Sequence, residues 1–124
     1  MAKKILIIDD EERIREVVRA CLQDLAGWLA LTAHSCAEGL SQAKAEQPDA
    51  ILLDVSMPGL SGLELLKTIQ SDPSTQKIPV ILLTAKSSPS DRAHFAQLGV
   101  AGTIYKPFNP LDLVRQVAQV LGWA

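Results

Sequence analysis

The sequence is poor in cysteine and has no long apolar run. Its two cysteines, Cys21 and Cys36, are too few to form a disulfide framework or a cysteine-based metal site. No stretch approaches the ~18 consecutive apolar residues that a membrane-spanning helix needs. The apolar stretch after Lys3-Lys4 stops after four residues at two aspartates, which is too short for a signal peptide. We therefore expect a cytoplasmic protein without a membrane partner.

A large excess of charge of either sign is also missing. The 124 residues carry 12 lysines and arginines against 14 acidic residues, a formal net charge of −2. This balance gives no general attraction to nucleic acid, so we expect no direct nucleic-acid binding. Hydrophobic residues make up 48% of the chain and charged residues 21%, which is typical of a globular protein rather than of a disordered one. No low-complexity linker divides the chain, and residues 1–124 are expected to form one domain.

Three short apolar runs each end in an ionisable residue. Residues 5–8 lead into Asp9-Asp10, residues 50–53 into Asp54, and residues 103–105 into Lys106. Short apolar runs bounded by turn signals are typical of strands buried on both faces of a parallel sheet. The carboxyl ends of such strands lie at one edge of the sheet. Three carboxylates and one ammonium group are therefore predicted to share a single crevice.

Strands and helices alternate along the whole chain. In the first helix, apolar residues follow the spacing of a one-sided amphipathic helix, and Cys21 on that face is expected to be a buried core residue. Right-handed crossovers between the strands then require a doubly wound parallel sheet with helices on both faces. The predicted strands are 5–8, 29–33, 50–53, 79–83 and 103–105; the predicted helices are 11–25, 35–47, 61–72, 88–98 and 109–121, with capping residues at their ends.

The clustered groups suit the transfer of a phosphoryl group to a carboxylate. Three carboxylates in one crevice repel one another, and Lys106 offsets only one charge. A divalent cation with oxygen ligands would offset the rest, and an open carboxylate site favours Mg²⁺, with Mn²⁺ possible in vitro. Asp54 stands alone at the end of its strand and is the natural nucleophile, which would form an acyl phosphate. Thr84 offers a hydroxyl to the product.

These residues together resemble the receiver domain of two-component response regulators. The resemblance covers essentially the whole chain, and it implies an α/β fold with a five-stranded parallel sheet in the flavodoxin-like order 2-1-3-4-5 and five flanking helices. It rests on several short motifs in the correct order: Asp9-Asp10, Asp54 with Met57-Pro58-Gly59, Thr84-Ala85, and Lys106-Pro107-Phe108.

The resemblance implies that Asp54 is the phosphoacceptor. The donor would be a phosphohistidine on a sensor histidine kinase or on a histidine phosphotransfer protein. Asp10, Asp54 and the backbone carbonyl of Ser56 would bind Mg²⁺, with Asp9 acting largely through water. Ser56 and Lys86 would flank the attacking water, and we predict that they tune the lifetime of the phosphoryl group.

The resemblance also implies a set of phosphate contacts and a switch. Lys106 would pair with Asp54 and then with a phosphoryl oxygen, and its bond to Pro107 would be cis. Thr84 would turn its hydroxyl to the phosphate, helped by the backbone amides of Met57 and Ala85. Tyr105 matches the aromatic residue that moves inward as the threonine shifts.

This switch would alter the face formed by the fourth helix, fifth strand and fifth helix. Because the sequence ends after the fifth helix, we expect a stand-alone receiver that signals by binding another protein or by passing its phosphate onward. Such a protein is a signalling switch, which catalyses its own phosphorylation and slow autodephosphorylation, rather than an enzyme acting on other molecules. An adaptor, a relay intermediate and a phosphate sink all fit this description.

Two other classes share parts of the pattern. A flavin-binding module can have the same strand order, but it needs a first loop rich in hydroxyls and amides to hold phosphate, and the acidic residues 9–12 in that loop would repel the phosphate. A hydrolase with an aspartyl phosphate intermediate usually carries a second acid two residues after the nucleophile, where this sequence has Ser56. Taken alone, Asp10 could equally serve as a helix N-cap.

Overall fold

The computed structural model describes residues 3–55 and 62–123. Every predicted element is present there, although the predicted cap Ser61 and the loop 57–59 lie outside the described residues. Within these ranges no helix is long and apolar enough to cross a bilayer. The strands are β1 (Lys4–Ile8), β2 (Leu29–Ala33), β3 (Ala50–Asp54), β4 (Val80–Thr84) and β5 (Gly102–Tyr105). The helices are α1 (Glu12–Ala26), α2 (Cys36–Glu46), α3 (Gly62–Ser71), α4 (Pro89–Ala96) and α5 (Pro110–Leu121).

The five strands form one parallel sheet in the order β2-β1-β3-β4-β5. This is the strand order that the resemblance implied. Strands β1, β3 and β4 lie in the middle of the sheet, and their apolar side chains are buried almost completely. Ile8 aligns with Leu53 of β3, which sets the ends of the two strands beside each other.

Alternate residues of each strand point to opposite faces of the sheet, so the protein has two cores. On one face Leu6, Ile8 and Leu53 pack with buried residues of α2, α3 and α4. On the other face Ile5 and Ile7 pack with buried residues of α1 and α5. A strand that is covered on both faces needs an unbroken apolar run, which is why these strands lack polar alternation.

Five of the predicted caps are observed, whereas α4 ends at Ala96 with Gln97 as its C-cap, before the predicted stop at Gly99. The side chain of Ser35 accepts a hydrogen bond from the amide of Glu38, and Ser88 and Asn109 cap α4 and α5 in the same way. Gly27 and Gly122 end α1 and α5 in the left-handed conformation, with φ angles of 71° and 72°. These caps satisfy backbone groups that helix ends leave free.

The buried face of α1 is narrower than the sequence predicts. Val18 and Leu22 are fully buried, whereas Val17 and Leu25 are 41% and 54% exposed. The prediction that Cys21 is a buried core residue is wrong, because its side chain is only partly covered, while Cys36 is buried. The cause is geometric: α1 packs on the sheet and beside α5, and this contact covers one stripe of the helix and leaves the adjacent apolar stripe in solvent.

Gly62 provides a test of how α3 fixes the end of β3. A Cβ atom at Gly62 would lie 2.6 Å from the Cα of Val55 and closer still to the carbonyl oxygen of Asp54. Because both obstacles are backbone atoms, Gly62→Ala should lower the free energy of unfolding by about 1–3 kcal/mol, the usual effect of overpacking. Urea unfolding followed by circular dichroism measures the change.

Gly39→Ala is the matched control for this prediction. A Cβ atom at Gly39 would lie 2.6 Å from the Cδ1 atom of Ile8, the mobile end of a side chain. We expect a smaller loss of stability, which Ile8→Val should reduce further. The same Ile8→Val change should not rescue Gly62→Ala. An equal loss in the two glycine variants would contradict this account.

Candidate functional site

The carboxyl edge of the sheet brings Asp9, Asp10 and Asp54 together. One carboxylate oxygen from each residue lies within 4.8 Å of the others. Asp9 is 0% and Asp54 2% exposed, whereas Asp10 is exposed to solvent. The clustering of these three acids confirms the predicted juxtaposition. Two of the carboxylates are buried in the protein, and the third lies on the side of the site that is open to solvent.

Lys106 is placed between the two buried carboxylates. Its Nζ atom lies 3.2 Å from Oδ2 of Asp9 and 3.6 Å from Oδ2 of Asp54. Its backbone amide donates to the carbonyl of Thr84 at 2.8 Å, which ties the end of β5 to the end of β4. The Lys106-Pro107 peptide is cis, as the resemblance implied. The ammonium group therefore contacts both acids and is nearer to Asp9 than to Asp54.

Two hydrogen bonds hold Asp9 in place, one to its side chain and one from Arg15 to its backbone carbonyl. Its Oδ1 atom accepts a hydrogen bond from the amide of Glu11 at 2.9 Å, and its carbonyl accepts one from Nη1 of Arg15 at 2.8 Å. Glu11 is the N-cap residue of α1 and makes no side-chain cap, so Asp10 is not the helix cap that it could have been. Sequence reasoning missed Arg15, which holds the loop that carries both acids.

The protonation equilibria of the site depend on burial and on these contacts. Burial raises the pKa of Asp9 above its usual value, the Glu11 amide works against this, and the charge of Asp54 raises the pKa further. For Lys106, burial lowers the pKa, but the Asp9 and Asp54 carboxylates outweigh it, and the net pKa is raised. Lys106 therefore keeps its proton to a higher pH than an ordinary lysine does, and Asp9 loses its proton at a higher pH than an ordinary aspartate does, as the raised pKa values of both groups require.

Thr84 and Tyr105 lie side by side at the ends of β4 and β5. They are paired in the strand register, and Thr84 is fully buried while the Tyr105 ring is half-buried. The Thr84 hydroxyl accepts a hydrogen bond from the amide of Lys86 at 2.9 Å. Ala85 and Lys86 are exposed at the start of the loop that joins β4 to α4. The predicted phosphate contact and switch residues are thus adjacent.

Two residues that the sequence assigned to the site cannot be placed. Ser56, expected to supply a backbone carbonyl to the metal and to tune phosphate lifetime, lies outside the described residues. Met57, expected to supply a backbone amide to the phosphate, lies there as well. The roles given to both residues stay predictions.

The strand order and this acidic edge with its lysine define a doubly wound α/β signalling domain. The chain belongs to the response regulator receiver domain family, which it matches over residues 5–118. It is 38% identical over 121 residues to the phosphate regulon transcriptional regulatory protein PhoB of Pseudomonas aeruginosa, covering 98% of this chain and 52% of PhoB. The chain spans about half the length of the curated relatives that it matches.

Other similarities agree with this family. The chain is 37% identical over 123 residues to the alkaline phosphatase synthesis transcriptional regulatory protein PhoP of Bacillus subtilis, covering 98% of this chain and 49% of PhoP. Its structure is similar to the chemotaxis response regulator CheY4 of Vibrio cholerae, with a TM-score of 0.89 and 33% identity over 97% of this chain and 99% of CheY4. The resemblance read from the motifs is confirmed, and it outweighs the flavin-binding and hydrolase alternatives.

The repulsion at this edge can be measured as stability. In a chelator at neutral pH, Asp9→Asn should raise the free energy of unfolding by about 1 kcal/mol, because burial of the Asp9 charge and its repulsion by Asp54 outweigh the attraction of Lys106 that the variant loses. The asparagine oxygen can still accept from Glu11, so the substitution removes charge rather than the turn. Asp24→Asn, at an exposed position on α1, is the control and should have little effect.

The difference in free energy of unfolding between Asp9→Asn and the wild type should change with pH in a defined direction. Because the pKa of Asp9 is raised, the folded wild type binds its proton more tightly than the unfolded chain does. Lowering the pH through the raised pKa toward the usual value of 3.8 therefore stabilises the wild type relative to Asp9→Asn, and the advantage of the variant shrinks. A constant difference between pH 7 and 4 would contradict the assignment. Adding Mg²⁺ at pH 7 should favour the wild type.

Proposed function

We propose that this protein is a phosphoacceptor response regulator of a two-component or phosphorelay system, with Asp54 as the acceptor. The observation that carries the proposal is the position of Asp54. Its carboxylate is buried at the end of a central strand, within 4.8 Å of two further acids and 3.6 Å from the Lys106 ammonium. The family match supports the same function.

In the proposed reaction a carboxylate oxygen of Asp54 attacks the phosphorus of a phosphohistidine. The new O–P bond forms as the P–N bond breaks, and the imidazole leaves with the electron pair of that bond. The product is an acyl phosphate. Lys106 offsets negative charge on the transferring phosphoryl oxygens, which is the main electrostatic demand of phosphoryl transfer. The protein thereby assists its own phosphorylation and acts as a switch.

The acidic cluster fits a magnesium ion. Asp9, Asp10 and Asp54 offer hard carboxylate oxygens close enough to share one cation, and Asp10 leaves the site open to solvent. Mg²⁺ prefers such ligands together with water and phosphate oxygens. Asp10, Asp54 and the Ser56 carbonyl are the proposed direct ligands, and Mn²⁺ could replace Mg²⁺ in vitro. When bound, the ion would supply positive charge beside the phosphoryl oxygens.

The phosphoryl group is proposed to be held by Thr84, by Lys106 and by the backbone amides of Met57 and Ala85. In the present arrangement the Thr84 hydroxyl accepts a hydrogen bond from the Lys86 amide, and a rotation of Thr84 toward the phosphate would break that bond. Tyr105 is the neighbour of Thr84 in the register and would move with it. The altered surface is the face formed by α4, β5 and α5.

The proposed donor is a sensor histidine kinase or a histidine phosphotransfer protein, and the proposed target is another protein. PhoB and PhoP are named as transcriptional regulatory proteins, and this chain matches about half of each. Its formal net charge of −2 gives no support for direct nucleic-acid binding by the receiver itself. Signalling by protein contact, in the cytoplasm, fits these observations.

The acceptor is tested by chemical phosphorylation. Incubated with a small acyl-phosphate donor and Mg²⁺, the wild type should gain the mass of one phosphoryl group, and Asp54→Asn should gain none, because the nucleophilic carboxylate is lost. Intact-mass spectrometry measures both. Asp49→Asn, which changes an exposed aspartate, should be labelled like the wild type. Equal labelling of wild type and Asp54→Asn would contradict the assignment.

The lifetime of the phosphoryl group is tested at Ser56 and Lys86. If their side chains flank the path of the attacking water, Lys86→Ala should open that path and speed autodephosphorylation several-fold. Ser56→Asn should narrow it and slow the loss. The decay of the phosphorylated mass after removal of the donor gives both rates. Decay rates equal to that of the wild type in both variants would show that neither residue tunes the lifetime.

A further inference from the structure

Arg92 joins the β4–α4 loop to the aromatic residue of the proposed switch. Its guanidinium carbon lies 4.0 Å from the centroid of the Tyr105 ring, within the range of a cation–π interaction. Its Nε atom donates to the carbonyl of Ser87 at 3.0 Å. Arg92 is exposed at the start of α4, so these two contacts, rather than burial, hold its side chain in place.

The same loop also holds Thr84. The Lys86 amide donates to the Thr84 hydroxyl, and the next residue, Ser87, supplies the carbonyl that anchors Arg92. Thr84 and Tyr105 are therefore each linked to the loop, one through a backbone amide and the other through an arginine. The loop is connected to both halves of the proposed switch.

We propose that Arg92 is a positioning residue that couples the loop of residues 85–88 to Tyr105 and holds the switch in its unphosphorylated arrangement. The inference rests on the proposed function and adds a residue that controls it. When the Thr84 hydroxyl turns to the phosphoryl group, it releases the Lys86 amide and the loop shifts. Arg92 then loses the Ser87 carbonyl, and its hold on the Tyr105 ring weakens.

The interaction is large enough to bias the equilibrium of a switch measurably. A guanidinium over an exposed aromatic face changes an equilibrium by about two- to fivefold when it is removed. A switch that shifts between two populated arrangements responds in proportion to any contact that only one of them makes. Loss of Arg92 should therefore raise the switched population two- to fivefold before any phosphorylation.

The experiment compares Arg92→Met with Arg115→Met. Methionine is unbranched and about as long as the stem of arginine up to Nε, but it lacks the charge and the donors. Arg115 is also exposed, and its guanidinium pairs with Asp112 on α5, so its loss is a matched change of charge. Arg92→Lys retains a cation near the ring without the planar Nε donor, and it should restore part of the wild-type behaviour.

Tyr105 is the single tyrosine of the sequence, so incorporation of 3-fluorotyrosine gives one ¹⁹F signal for the switch. The ¹⁹F signal of unphosphorylated Arg92→Met should lie part of the way toward its own phosphorylated position. Hydrogen exchange of the Lys86 amide reports the release of Thr84 and should quicken two- to fivefold in Arg92→Met. Labelling by a small acyl-phosphate donor should quicken by a similar factor, which a purely structural role of Arg92 would not produce.

The outcomes separate this inference from the proposed function. Wild-type values of Lys86 amide exchange and labelling rate in Arg92→Met, equal to those of Arg115→Met, would overturn the role of Arg92. Failure of the wild type to gain a phosphoryl mass would overturn the acceptor assignment. In that case the Lys86 amide exchange of unphosphorylated Arg92→Met still decides whether Arg92 holds the loop, because that measurement needs no phosphate.

Discussion

The structure of the site depends on keeping three carboxylates together at one edge of a parallel sheet. Asp9 and Asp54 are buried there, and without compensation their repulsion would oppose folding. Lys106 compensates by contacting both buried acids at once. Hydrogen bonds also fix the surrounding backbone. Arg15 donates to the carbonyl of Asp9, and the amide of Lys106 donates to the carbonyl of Thr84. Three carboxylates and one ammonium group leave the site with a net negative charge. This charge favours the binding of a cation, and it is the charge background against which phosphoryl transfer would take place.

The three acids differ in how deeply they are buried, and this difference gives them different physical roles. Asp9 is enclosed, bonded to the Glu11 amide and paired with Lys106, so it is part of the framework as well as of the charge cluster. Asp10 faces solvent, where an ion with bound waters can reach it. Asp54 combines burial with access to the cluster. The role of Asp9 through water, which the resemblance implies, stays a prediction, and the enclosed position of Asp9 beside Lys106 is compatible with it.

Much of this arrangement could be predicted from the sequence because its causes are local. An unbroken apolar run predicts a strand covered on both faces, and the strand ends then place Asp9, Asp54 and Lys106 at one edge. Serine and glycine at helix ends were equally informative. The contacts of Arg15 and Arg92 could not be predicted, because each depends on how a helix is rotated against a loop. The same cause explains the error at Cys21, since periodicity gives the width of an apolar face but not how much of it a neighbour covers.

The register between β4 and β5 gives the proposed switch a physical basis. Thr84 and Tyr105 are opposite each other in adjacent strands, one buried at the charge cluster and the other half-buried beside α4. In the proposed switch a change at Thr84 would be taken up by the loop after β4 and by the side chains that contact it, because the buried strands are closely packed on both faces. Because the Lys86 amide contacts Thr84 and the Ser87 carbonyl contacts Arg92, a displacement of the loop that moves both peptide units would change both contacts together. A small displacement at a rigid edge can in this way alter an exposed surface.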